Sequence, residues 1–220
     1  GRNQVCYGNV SITTQFQTEA TDVTFEQVGD IISVADIQSM QLSPMDEENG
    51  VWGLALMKLQ ANIPDTVPGQ NVTFLLFGDV QITSALDQYD NIDATPMQAF
   101  YLQTGVGDAG CEEAPESGLL VQTPEGINEI VFNINGVDVA MGSTILFQAQ
   151  PNQDMSVSAL EGSAMINIDG EIFSAVEGTQ LRVLLDESLQ ALEAVGVDAY
   201  TLDLIQSLPI DQLERQIEIA

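Results

Sequence analysis

From Val5 to about Leu185 the chain is a succession of short segments rich in Val, Ile, Leu, Phe and Thr, cut by clusters of Gly, Pro, Asn and Asp. β-Branched and aromatic residues suit a pleated surface, and the punctuating residues make turns, so strand after strand is predicted here. Residues 51–63 (VWGLALMKLQANI) and 71–84 (NVTFLLFGDVQITS) read as a long hairpin around PDTVPGQ. Its first strand is apolar on both faces, Trp52, Leu54 and Leu56 alternating with Ala55, Met57 and Leu59, and therefore needs cover on two sides. Residues 5–16, 29–37 and 97–103 supply further strands. Downstream, Asn135-Gly136 joins 129–134 to 137–141 and Asp169-Gly170 makes a second tight turn, since both residues of such pairs tolerate positive φ. Strands are also expected at 119–122, 144–148, 155–160, 164–168, 171–176 and 180–185.

Residues 106–117 (VGDAGCEEAPES) concentrate Gly, Pro and acids, which places a boundary or an exposed crossing there. The expected organisation is a β domain over 1–110, a second over 111–185, and short helices with a tail over 186–220. The fold class is thus mainly β, with two β-sandwich-like halves and a short helical C-terminal region. Beyond Leu185 the period shifts toward 3.6: Asp186 caps a helix over 187–194 ended by Gly196, and Asp198 caps another over 199–208 stopped by Pro209. The end, IDQLERQIEIA, reads as a third helix or as a strand with Ile217 and Ile219 on one face. Such a strand adds to the edge of its own domain or to that of a second copy.

The chemistry is bounded by what is missing. Lys and Arg number 4 against 33 Asp and Glu, so the charge is 4 − 33 = −29, and there is no histidine. Such a surface repels phosphates and anionic headgroups, so no nucleic-acid partner is expected. No apolar run reaches the roughly 18 residues that cross a bilayer, so no membrane insertion is expected either. Without His the usual general base, the Ser-His and Cys-His pairs and the commonest zinc ligand are gone, and the chain is read as no enzyme. Paired carboxylates remain as a sugar-cleaving device, and Glu47, Glu48, Glu112 and Glu113 stand in loops; the single Trp and four Tyr make a poor set of sugar platforms.

The only cysteines, Cys6 and Cys111, lie in polar surroundings and are expected to pair as the disulfide of an exported protein; two unrelated thiols are the alternative. Closing that loop would contribute about 4 kcal/mol. No cofactor is required by the sequence, but calcium, which favours carboxylate and amide oxygens, is a candidate for Asp87, Asp90, Asn91 and Asp93 in DQYDNID and for the cluster Asp46, Glu47, Glu48 and Asn49. Neither has EF-hand spacing, and a solvated acidic loop is the competing reading. Asn9-Val10-Ser11 and Asn71-Val72-Thr73 are sequons. Lys58, the one lysine, reads as a residue at a sheet edge rather than as the partner of an acid.

The segments VDVAMGSTILFQA (137–149), MSVSALEGSAMIN (155–167) and FSAVEGTQLRVLL (173–185) share a rhythm of strand, Leu-Glu-Gly, strand, turn and Gly-x-x-hydrophobic. Leu160, Glu161 and Gly162 carry its first element, and Gly178, Thr179, Gln180 and Leu181 its second. In this the chain resembles the FecR-like β-domain of bacterial exported and envelope proteins, over about a third of its length. The first half, through CYGNVSITT and the hairpin bearing Trp52, loosely resembles other exported bacterial proteins. The resemblance implies a small stack of strands and a secreted or cell-surface location, and it carries no catalytic residue. The start at Gly1 rather than Met agrees with a removed leader, or with a chain cut to begin there. The function expected is therefore structural, a non-catalytic extracellular subunit that assembles with copies of itself into a filament or layer. The alternative is a β module that binds or senses a glycan or cell-wall component.

Overall fold

The computed structural model describes residues 3–9, 12–18, 20, 23–44, 46, 48–60, 71–88, 94–106, 116–127, 129–201, 204–205 and 208–217. Among the described residues, fifteen strands form one sheet. They are β1 (Gln4–Asn9), β2 (Ile12–Phe16), β3 (Ile31–Ser33), β4 (Ile37–Leu42), β5 (Leu54–Leu59), β6 (Val72–Phe77), β7 (Val80–Ser84), β8 (Ala99–Thr104), β9 (Gly118–Gln122), β10 (Ile130–Ile134), β11 (Val137–Ala149), β12 (Asp154–Ile168), β13 (Glu171–Val176), β14 (Thr179–Leu185) and β15 (Ala191–Ala199).

The long hairpin β11–β12 organises the rest. Along the free edge of β11, residues 137–141 pair with β10 and residues 144–147 with β9. Along the far edge of β12, residues 163–168 pair with β13 and residues 154–158 with β14. A ribbon whose neighbours change halfway has to bend there. The bend sits at Ser143 and Gly162, with φ of 85° and 77°, and the register shifts between Thr144 and Ile145. A Cβ on Gly162 would lie 2.3 Å from the Gly142 carbonyl oxygen, so only glycine fits.

The sheet therefore curls into two wings joined along this hairpin. One runs β13–β12–β11–β10–β8–β7–β4–β2, the other β15–β14–β12–β11–β9–β6–β5–β1–β3. They close over one core, in which Phe74 of β6 meets Phe100 of β8 and Phe132 of β10 edge-on, at centroid distances of 5.6 and 5.3 Å. Met40, Met57, Ile82, Leu102, Phe147 and Val157 complete its centre.

This corrects the expectation of two sandwich-like halves. β9 and β10, which follow the expected boundary in sequence, pair with β6 and β8, which precede it. The reason lies in where the chain crosses between wings. The expected strand over 71–84 divides at Gly78-Asp79 into β6 in one wing and β7 in the other. Gly78 has φ 76°, and a Cβ there would stand 2.2 Å from the Ser117 hydroxyl. Residues 5–16 divide in the same way into β1 and β2. Conversely, the expected strands 137–141 and 144–148 fuse into one, as do 155–160 and 164–168. The Asn135-Gly136 and Asp169-Gly170 hairpins form as expected, with φ of 52° and 83°, and 51° and 88°.

The helical C-terminal region is likewise corrected: among the described residues there is no helix of seven residues or more. Asp186 does cap, but it caps a turn, its Oδ1 accepting from the backbone of Ser188 and Gln190 at 2.8 and 2.9 Å. The chain then returns as β15, antiparallel to β14. Without it the whole edge of β14 would be left without hydrogen-bond partners, and that demand overrides the modest helix preference of the Ala, Leu and Glu residues. Val195 and Val197, both β-branched, sit comfortably in a strand.

Candidate functional site

All of β6 and β9 is buried, on both faces. One face enters the core. The other presents Leu75, Phe77, Leu120, Leu146 and Leu160 outward, with Trp52, Leu54 and Leu56 at the margin. Over this apolar patch lie the described residues between 200 and 217, of which Tyr200, Ile205, Leu208 and Leu213 are set into it and Ile210 and Ile217 pack against it. Trp52 meets Phe77 edge-on at 5.9 Å. The second cover required by the doubly apolar strand is thus the C-terminal segment of the same chain. Each large side chain so enclosed contributes about 1.5–3 kcal/mol.

Polar contacts fasten the segment. Arg215 donates from Nη1 to Glu161 Oε1 at 2.8 Å and from Nη2 to Oε2 at 2.5 Å, a two-pronged pairing. Ser143 Oγ accepts from Nη2 at 3.1 Å and donates to Glu161 Oε2 at 2.5 Å. The Arg215 backbone is held as well: its N–H donates to Gln122 Oε1 at 3.0 Å, and its carbonyl accepts from Gln122 Nε2 at 2.9 Å. Next to it, Lys58 donates to Glu214, whose other oxygen accepts from Thr73 Oγ1 at 3.2 Å. These contacts explain why β12 bends where it does. Leu160 enters the patch, Glu161 points to Arg215 and Gly162 permits the turn, so each residue of the Leu-Glu-Gly element has a physical task.

The Arg215 guanidinium holds the Glu161 carboxyl below its ordinary value, against the opposing effect of burial, with help from Ser143. Arg215 is raised in turn, chiefly by the hydrogen bonds to Glu161. A carboxylate with both oxygens occupied by a guanidinium is a poor proton acceptor, and the serine beside it already donates to that carboxylate. The group is a clamp and not a nucleophile with its base. Tyr200, at the start of the segment, has its phenol pushed up by burial first and by Glu177 second. Its hydroxyl has no partner among the described residues.

The residues singled out from sequence are scattered. Cys6 is a half-buried free thiol in β1, and Cys111 lies outside the described residues. Of the candidate calcium ligands, Asp87 stands in a short turn over 86–88, while Asp90, Asn91 and Asp93 lie outside the described residues. Asp46 closes a local turn, accepting from Glu48 N, Asn49 N and Asn49 Nδ2, which lower its pKa, the Asn49 side chain most. Glu47, Glu112, Glu113 and Ile219 also lie outside the described residues. No cluster of three or more acids, His or Cys able to hold a metal occurs among the described residues. Ile217 packs on the patch of its own chain. Lys58 is the partner of an acid and sits on an interior strand between β1 and β6, not at an edge. Sequence pattern does not single out Arg215 or Gln122, and the one signal for the clamp is an arginine in a chain with only four bases.

No family model and no curated protein matches the sequence. Two crystal structures of a proposed anti-sigma factor from Parabacteroides distasonis are similar over part of the fold. One has a TM-score of 0.37 at 11% identity, over 66% of this chain and 54% of that one. The other has a TM-score of 0.35 at 10% identity, over 59% and 55%. The chain thus spans about half the length of these neighbours, and a likeness of this degree carries no argument about function.

Proposed function

We propose that this chain is a non-catalytic structural subunit of the extracellular space or cell surface, FecR-like in the strand rhythm of its second half, that joins copies of itself by exchanging the C-terminal segment. One observation carries this reading: the apolar patch of β6, β9 and β11 is complementary to segment 200–217, and every copy holds both. A segment that seals its own patch seals a neighbour's with the same contacts, and passed head to tail from copy to copy such exchange extends into a filament wherever the rotation between copies does not close. With −29 charges per copy, attraction between molecules has to come from apolar burial and short-range hydrogen bonds.

Light scattering and negative-stain microscopy of the full chain at rising concentration test the idea. Assemblies are expected, and Arg215→Ala, which loosens the clamp without uncovering the patch, is expected to speed the mixing of two labelled populations. Removal of residues 210–220 should abolish the ordered assembly while circular dichroism stays β-rich. A strictly monomeric full chain at high concentration, or a truncated chain that forms the same assembly, refutes the proposal.

A further inference from the structure

The outer face of the other wing follows a different plan. Strand register aligns Thr13, Gln41, Gln81 and Gln103 in one row across β2, β4, β7 and β8, and Gln15, Ser39, Thr83 and Tyr101 in the next. None is charged, in a chain with 33 acids. Elsewhere Gln17, Gln98, Gln122, Gln148 and Gln190 use their side-chain amides on partners within the molecule. Those of Gln15, Gln41, Gln81 and Gln103 have no partner among the described residues and face water. Along the three glutamines of the first row the surface dips into an open depression of about 300 Å³, bordered by Gln41, Gln81 and Gln103 together with Pro44, Asp79, Thr104 and Val106. In the second row the hydroxyl of Tyr101 donates to Gln88 at 3.1 Å and accepts from Gln190, which fixes the ring.

We infer that this face binds a neutral polysaccharide, one without carboxylate or sulfate groups. A primary amide offers donors and an acceptor together, as a sugar hydroxyl does, so the two can pair in either sense. The amides recur at the strand spacing of about 4.8 Å, a regular ladder for a repeating ligand. Charge selects among polymers: a chain at −29 repels an anionic one, and a cationic one gains more at the acid-rich loops than on bare amides. Tyr101 and the exposed Val106 supply apolar contact for the C–H faces of sugar rings. The face lies on the opposite wing from the C-terminal patch and does not depend on exchange of that segment. Its competing occupant is a second copy stacked glutamine on glutamine.

Affinity electrophoresis of the full chain through gels containing laminarin, dextran or alginate separates these outcomes. At least one neutral glucan is expected to retard the protein, added salt to leave the retardation intact, and alginate to have no effect. The double variant Gln81→Ala, Gln103→Ala, with unchanged circular dichroism, is expected to weaken retardation on the order of tenfold, as the loss of a few hydrogen bonds implies. Passage through every neutral gel without delay, delay by alginate alone, or a double variant that migrates like its parent overturns the inference. So does a double variant whose only change is lost self-association in light scattering.

Discussion

At the scale of single residues, the pair Glu161–Arg215 makes the sharpest claims. Both side chains are about 30% exposed, so the pair is neither a solvated surface bridge nor a fully buried one, and Arg215→Ala is expected to cost about 1–3 kcal/mol in urea unfolding. Because the folded-state pKa of Glu161 is depressed below 4.5, its contribution is full above the unfolded value and fades as pH falls through the lower folded one. Unfolding curves collected between pH 7 and pH 3 should therefore lose stability faster for the parent than for Glu161→Gln; parallel curves would contradict the clamp. Tyr200→Phe serves as a contrast. It removes a buried hydroxyl without a partner among the described residues, so stability should hold or rise by about 1 kcal/mol. The sequence drew notice to Glu161 and Lys58 but not to their partners. Glu161 and Arg215 stand 54 positions apart, and Lys58 and Glu214 stand 156 apart. Only the topology brings such residues together.

At the scale of elements, turn chemistry was readable and crossings were not. Asn135-Gly136 and Asp169-Gly170 announce hairpins because type I′ geometry asks for those residues locally. Gly78 looks like any glycine in an apolar run, since alternation continues unbroken through the point where the chain changes wing. β15 was hidden for another reason: the need it meets belongs to β14, several residues away. The bend of β11–β12 gives a direct test. Gly162→Ala combines a positive φ with contact against the Gly142 carbonyl and should cost at least about 2 kcal/mol in urea unfolding. Gly178→Asn is the control. Gly178 has φ 87° with open space around it, and asparagine tolerates that conformation, so this change should cost well under half as much. Equal losses at the two sites would mean that the bend is not a special point of the fold.

For the whole molecule, charge is the dominant long-range force. Four bases cannot offset 33 acids, and screening relieves the resulting self-repulsion, so the melting temperature should climb with sodium chloride. Calcium at matched ionic strength should raise it further if Asp87, Asp90, Asn91 and Asp93 form a binding loop. Coincident curves would leave that loop as solvated acid. Apart from charge, the molecule also has a schedule. Synthesis runs from the N-terminus, so residues 200–217 emerge after every strand they cover. A nascent chain that has completed its sheet still carries Leu75, Phe77, Leu120 and Leu146 as a bare greasy stripe, in the crowded setting where such stripes are most harmful. The arrival of residues 200–217 therefore decides between a covered stripe and an aggregate, and any stall shortly before Arg215 leaves a polypeptide that a chaperone has to shield.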